Sequence, residues 1–291
     1  MKSWNKPGKM YAVTSILRND RIVQTKFCDE TPSFLAPLIS QYRTDCPPSH
    51  EQIMSLPDED LIVRKDDCWR HYPRLVVFDM DSTLIEQECI DLLASYAGVE
   101  DEVSNITKRA MNGELDFTAS LAARVALLRG LPDDVFDKVK ERITFAPGAR
   151  ELCRALKRMG CQLAVISGGF VPLATYVQKE LGLDYMYSNN LEVHAGKLTG
   201  VTYGPVVNAE MKKELLLKLQ SEIGCRIEQV VAVGDGANDL PMLNIAGLGV
   251  AIHAKEKVQR EAPARIRHGQ LDAILYLFGL SSGKVLELCR Q

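Results

Sequence analysis

The sequence predicts an α/β protein built on a parallel sheet, with a helical bundle inserted after the first sheet strand and a small α+β segment in front. Three observations carry this reading. Four short apolar runs, LVVF (75–78), QLAVI (162–166), QVVAV (229–233) and LGVAI (248–252), have the length and β-branched content of strands buried on both faces. Helical patterns lie between these runs, and strand alternating with helix is the signature of α/β architecture. Between the first and second runs, residues 87–146 hold four helix-like stretches, too many for one crossover.

In chain order, residues 1–73 come first. YAVTSIL (11–17) and RIVQTKF (21–27) are strand-like, separated by the turn signal Asn19-Asp20. PSFLAPLISQY (32–42) reads as a short helix interrupted by Pro37, whose ring removes a backbone donor. Cys46-Pro47-Pro48-Ser49 and the acidic PDED (57–60) read as connections. The segment is expected to pack on the main domain or on a partner chain, which leaves a homodimer open. It carries no residue pattern that points to chemistry, and the core is read as 74–86 and 147–291.

The insert, 87–146, is expected to form a helical cap from CIDLLASYAGV, SNITKRAMNG, FTASLAARVALLRG and DDVFDKVKERI. In GARELCRALKRMG, Leu152, Leu156 and Met159 share a face, and Gly160 sits where a helix-closing glycine belongs. In AEMKKELLLKLQSEIG, Met211, Leu215 and Leu219 share a face, with Gly224 closing. LEVHAGKLTGVTYG (191–204) alternates around Ala195-Gly196-Lys197 as a β-hairpin does.

Composition narrows the function classes. The 291 residues are 46% apolar and 25% charged with net charge −3, so the chain carries no overall basic footprint for nucleic acid. No apolar run reaches the length of a membrane span, and the N-terminus lacks the apolar core of a signal peptide. Eight cysteines at irregular spacing form no CxxC pair, which fits free thiols in a reducing cytoplasm.

In open α/β sheets ligands bind beyond the carboxyl ends of the strands. Asp79 and Asp81 follow the first run, Ser167-Gly168-Gly169 the second, and Asp235, Asn238 and Asp239 the third. Lys212 or its neighbour Lys213 opens the helix before that third run. Carboxylates beside a lysine and a glycine turn place a cation site next to an anion site. That pairing suits phosphoryl transfer with Mg²⁺, a hard cation that prefers oxygen ligands. Asp79 is suited to attack phosphorus. Asp81, two residues on, is suited to protonate the leaving alcohol and then deprotonate water. Asp79, Asp81 and Asp235 form the expected metal set. The Ser167 hydroxyl, the Gly168 N–H and Lys212 are expected to hold phosphoryl oxygens, with Asp239 steadying the lysine. Asn238 fits both a helix cap and the phosphate site.

FDMDSTL, ISGGF, the Lys212 segment and GDGANDLPM together resemble the four motifs of haloacid dehalogenase-like phosphatases. The resemblance selects Lys212 over Lys213 and implies a Rossmann-like haloacid dehalogenase core. IEQECID, RAMNGELDFTASLAARVALLRG and VGDGANDLPMLNIAGLGVAIHAK are similar to the phosphoserine phosphatase family, over about 74–291. That similarity implies hydrolysis of the small molecule O-phospho-L-serine. It implies that Glu88 and Arg124 grip the substrate's ammonium and carboxylate, and that Met111 and Phe117 line the closed cap. Residues 1–73 do not match the ACT-type regulatory domain that some members carry. Rival readings keep the chemistry and change the acceptor to homoserine or the substrate to another small phosphomonoester. A rival of another class is a long-lived phospho-aspartate switch, against which Asp81 argues.

Overall fold

The computed structural model describes residues 10–18, 33–36, 38–111 and 114–290. The expected strand at 21–27 and turn at 19–20 lie outside these residues. A four-stranded antiparallel sheet comes first, from β1 (Tyr11–Leu17), β2 (Ser33–Ala36), β3 (Ile39–Thr44) and β4 (Glu59–Lys65), in the order β2-β3-β1-β4. A short helix, α1 (His50–Met54), crosses one face, started by a capping box from Ser49 and Gln52. The helix expected over 32–42 is therefore replaced by two strands. β3 is held by pairing with β1 on one side and β2 on the other, and local propensity yields to that ladder. PDED is no simple connection either, because Glu59 and Asp60 begin β4.

Strand alternation divides this small sheet's work. Val13 and Leu61 point to one face and join Tyr42 and the Ile53 and Leu56 side chains around α1. Ile16 and Ile62 point to the other face and merge with the core of the rest of the chain. Asp60 lies on that second face, fully buried. It accepts from the Arg267 N–H at 2.6 Å, from Arg267 Nε at 2.7 Å and from the His268 N–H at 3.1 Å. A buried carboxylate needs such partners, so Asp60 ties the segment to the core.

The second sheet has seven strands: β5 (Leu75–Phe78), β6 (Gln162–Phe170), β7 (Tyr185–His194), β8 (Lys197–Tyr203), β9 (Val230–Gly234), β10 (Leu248–Ile252) and β11 (Ala264–Ile266). Their order is β11-β10-β9-β5-β6-β7-β8, with every neighbouring pair parallel except the β7–β8 hairpin. The hairpin turns through Ala195 and Gly196, both at positive φ (49° and 73°), the conformation a tight two-residue turn requires. Both faces of β5 are buried. Val76 and Phe78 face one core layer, and Leu75 and Val77 face the other. This is why LVVF is apolar at every position.

Of the five helices between β5 and β6 among the described residues, the first four make up the insert: α2 (Cys89–Ala97), α3 (Glu100–Met111), α4 (Phe117–Ala126) and α5 (Val135–Lys140). The remaining helices flank the sheet: α6 (Ala149–Arg158), α7 (Val171–Leu181), α8 (Ala209–Ile223), α9 (Leu240–Ile245), α10 (Glu256–Glu261), α11 (Ile274–Leu277) and α12 (Ser282–Cys289). In α8 the buried face is Lys212, Leu216 and Leu219 rather than the expected Met211, Leu215 and Leu219. The helix is turned by about one residue from the apolar optimum, and the lysine is what that turn brings inside. All seven cysteines among the described residues are free thiols. Among the described residues no helix is long and apolar enough to cross a membrane.

Candidate active site

β5 is the central strand, with β9 and β6 on its two sides. The carboxyl ends of these three strands converge, and the sequence places acids or glycines at each end. The Asp79 N–H extends the ladder to Val233 O (2.9 Å), which fixes the aspartate as the first residue past the strand. Its side chain is nearly buried. Asp79 Oδ1 accepts from the Met80 N–H at 2.7 Å and pairs with Lys212 Nζ at 2.8 Å.

Lys212 is fully buried and also pairs with Asp239 Oδ1 at 2.7 Å. Burial disfavours an ammonium, but the Asp239 and Asp79 charges outweigh it and hold Lys212 protonated above the ordinary lysine range. Asp239 is anchored from its other side, where Oδ2 accepts the Gly236 N–H at 2.9 Å. Asp235, just past β9, accepts from the Thr83 hydroxyl at 2.9 Å.

One oxygen from each of Asp79, Asp235 and Asp239 lies within 4.8 Å of the others. With Lys212 protonated, three carboxylates and one ammonium leave a net charge of −2. Removal from water and the neighbouring Asp79 charge push Asp235 up to about 7. Burial and Asp79 push Asp239 up as well. The crowded acids thus hold protons more tightly than free aspartates do. A divalent cation would neutralise the excess charge through hard oxygen donors, so the residues fit such an ion. The carboxylate of Asp81 lies outside this group of three, so the structure does not bring its side chain into the metal set.

Asp81 instead faces the glycine loop. A Cβ placed on Gly169 would lie 3.2 Å from Asp81 Oδ2, 3.0 Å from Ser167 Oγ and 2.9 Å from Met80 Cε. Asp81 Oδ1 is buried and without a hydrogen-bond partner. Burial first, then the Glu88 and Asp79 charges, raise the Asp81 carboxyl well above the usual range, against hydrogen bonding from Cys89. It therefore holds a proton more tightly than a free aspartate does, as a general acid must.

Ser167-Gly168-Gly169 continues β6, but pairing with β7 lapses between Ile166 and Phe170. The freed backbone is tied down locally. The Gly169 N–H donates to Ser167 Oγ at 2.8 Å, and Asn189 Nδ2 donates to Gly168 O at 2.8 Å. Asn189 is buried, and its Oδ1 accepts the Val207 N–H at 2.8 Å. One amide therefore links the glycine loop to the segment that leads into α8 and Lys212. Gly168 also marks where the inserted helices touch the core, since a Cβ there would lie 2.9 Å from Phe117 Cζ.

Arg124 is half-buried on α4, and its charge acts on Glu88, Asp91 and Asp81. Glu88 caps α2 without a side-chain capping bond. The structure thus brings Glu88, Arg124 and Phe117 to the mouth of the aspartate cluster. Asn238 folds over Gly236, its Oδ1 lying where a Gly236 Cβ would stand. Met111 ends α3, and its side chain lies outside the described residues. Sequence reasoning gave no role to Thr83 or Asn189. Thr83 carried a signal, as the final residue of the Asp-x-Asp-x-Thr pattern. Asn189 carried only that of a lone amide within a strand.

Known proteins resemble this chain over most of its length. A protein named phosphoserine phosphatase from Saccharomyces cerevisiae is 47% identical over 230 residues, covering 78% of this chain and 74% of the relative. A solved structure described as a phospho-aspartyl intermediate analogue of phosphoserine phosphatase superposes with TM-score 0.66 at 45% identity, covering 70% of this chain and 97% of the other. A HAD family hydrolase from Salmonella enterica serovar Typhi gives TM-score 0.82 at 29% identity, covering 92% of this chain and 98% of the other. Its coverage extends the likeness into the N-terminal segment. Residues 73–247, the stretch that holds the aspartate cluster, Lys212 and the glycine loop, match the haloacid dehalogenase-like hydrolase family, and the chain belongs to that family.

Proposed function

We propose that this protein hydrolyses O-phospho-L-serine to L-serine and phosphate, with Mg²⁺ as its metal and Asp79 as its nucleophile. The observation that carries the reading is the buried Lys212 pinned between Asp79 and Asp239, in a group of three carboxylates and one ammonium with net charge −2. The names borne by the relatives supply the substrate.

In the proposed mechanism, Asp79 Oδ1 is held by Lys212 and the Met80 N–H, which leaves Oδ2 to attack phosphorus. The new Oδ2–P bond forms as the P–O bond to the serine side chain breaks. Asp81 gives its proton to the departing serine oxygen. Water then attacks the aspartyl-phosphate, Asp81 takes back a proton from that water, and the P–Oδ2 bond breaks to release phosphate. Ser167 Oγ, the Gly168 N–H and Lys212 are assigned to the phosphoryl oxygens, whose charge is the main obstacle to attack. Asp79 and Asp235 would hold a Mg²⁺, which would supply further charge neutralisation. Glu88 and Arg124 are assigned to the ammonium and carboxylate, charge pairs that a generic phosphate ester cannot make. Helices α2–α5, with Phe117 against Gly168, are assigned as the cap that excludes water. The free thiols fit a cytoplasmic location.

The direct test is phosphate release by the purified protein from O-phospho-L-serine, from 3-phosphoglycerate and from an aryl phosphate. We expect Mg²⁺-dependent release, abolished by EDTA, with phosphoserine preferred over 3-phosphoglycerate. In 3-phosphoglycerate a hydroxyl replaces the ammonium. Equal rates on those two substrates would reject the assigned role of Glu88.

The raised acids give a second expectation. Asp235 titrates near 7 in the metal-free fold but near 3.8 in an unfolded chain. The folded state then binds the extra proton, so the penalty for ionising it grows from about pH 4 to about pH 7 and is complete above that. Metal binding relieves that penalty. The rise in Tm produced by saturating Mg²⁺ should be larger at pH 8 than at pH 5.5, where protons compete for the same oxygens. Differential scanning calorimetry at the two pH values checks this, and an equal or smaller rise at pH 8 would count against the site.

A further inference from the structure

We propose that Ser82 is a specificity-positioning residue, which aims the Glu88 carboxylate at the ammonium group of the substrate. The inference rests on the substrate assignment above and adds a residue to it. Ser82 occupies the variable position between Asp81 and Thr83 in the Asp-x-Asp-x-Thr pattern.

Its backbone is in the left-handed region, at φ 54°, where glycine is the easy choice. The only other non-glycine residues there among the described residues are Ala195 and His253. A strained residue that keeps its side chain invites the question of what that side chain does. A serine in a turn ordinarily folds its hydroxyl onto nearby backbone. Here Ser82 Oγ donates instead to Glu88 Oε1, at 2.8 Å.

Glu88 depends on such a partner. It sits at the N-cap of α2 with extended backbone (φ −93°, ψ 116°), yet its carboxylate makes no capping bond to the helix. It stands exposed at the mouth of the site, where a glutamate has many rotamers. The left-handed turn lets Ser82 reach across six residues to one carboxylate oxygen, which reduces that freedom and leaves Oε2 for a cation. A donor hydroxyl also favours the charged carboxylate that an ammonium needs. The loop is set up for this by its own bonds, Leu84 N–H to Met80 O at 2.9 Å and Ser82 N–H to Gln87 O at 3.3 Å.

The experiment measures kcat and KM for O-phospho-L-serine and for an aryl phosphate in native protein, Ser82→Ala, Ser82→Gly, Glu88→Gln and the Ser82→Gly/Glu88→Gln double variant. Glycine removes the hydroxyl without backbone strain, so it also serves if alanine disturbs the turn. We expect the ratio of kcat/KM for phosphoserine to that for the aryl phosphate to fall about 10-fold in both Ser82 variants, the scale of one charge-assisted hydrogen bond. Most of that change should be a rise in KM for phosphoserine. In the Glu88→Gln background the Ser82→Gly change should alter the ratio less than 2-fold. The proposal is overturned if both substrates lose equally in Ser82→Gly, or if the losses of the two single variants simply multiply. If Glu88→Gln itself leaves the ratio unchanged, the substrate assignment fails and takes the proposal with it. If only Glu88→Gln lowers the ratio, the assignment stands and the role of Ser82 falls.

Discussion

Replacing Asp79 by asparagine should lower kcat on O-phospho-L-serine by about 10⁴-fold or more, the scale seen when a nucleophile is removed. The substitution keeps the shape of the side chain and removes its charge. An amide oxygen is a poor nucleophile, so no P–O bond to residue 79 can form and later be hydrolysed. The fold should survive. Lys212 keeps Asp239 at 2.7 Å, and one of the three crowded carboxylates is gone. Relief of that repulsion should leave the Tm of the metal-free variant at or above that of the native protein at pH 8. Two measurements check this: acid-quench trapping of an alkali-labile phosphoprotein, present in native protein and absent in the variant, and a calorimetric Tm. Turnover above about 1% of native, with mass spectrometry excluding deamidation back to aspartate, would displace Asp79 from the nucleophile's role.

How much of this site can be read from sequence depends on what places each residue. Asp79, Ser167 and Asp235 each follow an apolar run, and strand-end position is set by topology. Adjacent parallel strands must bring those ends together, so the cluster is legible in the sequence without any contact. Asn189 was not legible, because its value lies in bonds to Gly168 and Val207, residues far from it in sequence. Asp60 misled for a related reason. PDED has the composition of an exposed turn, yet Asp60 is fully buried, because Arg267 meets it from 207 residues away. The 32–42 segment failed differently. Its local apolar spacing suits a short helix, but the open edge of β1 needs a strand, and ladder pairing decided it. The buried face of α8 shows the limit of periodicity itself. A count of apolar residues selects Met211, Leu215 and Leu219. The fold turns Lys212 inward because two buried aspartates await it, and hydrophobic spacing carries no record of such a partner.

That buried lysine sets up the sharpest contrast with Asp79→Asn. Lys212→Met is near in volume and removes only the charge. Where Asp79→Asn subtracts an anion from a site of net −2, Lys212→Met subtracts its one resident cation. Asp79 and Asp239, both buried, would then face each other without compensation. Breaking a buried ion pair from one side costs about 3–5 kcal/mol, and part of that cost would be met by protonating an aspartate. Urea unfolding at pH 8 should therefore show Lys212→Met markedly less stable than native, while Asp79→Asn is not. Lowering the pH toward 6 should narrow the gap, since protonation removes one of the opposed charges. Activity should fall about 10²–10³-fold even with Mg²⁺ saturating, because the lysine both fixes Asp79 Oδ1 and opposes charge on the phosphoryl group. Lys212→Arg should not restore it. A guanidinium is larger and planar, and there is no exposed space at this position for it to take. If Lys212→Met matched native stability at pH 8, or if its deficit did not shrink on acidification, the account of Lys212 as counter-charge to two buried aspartates would be wrong. The site would then need another source of positive charge to hold Asp79 in place for attack.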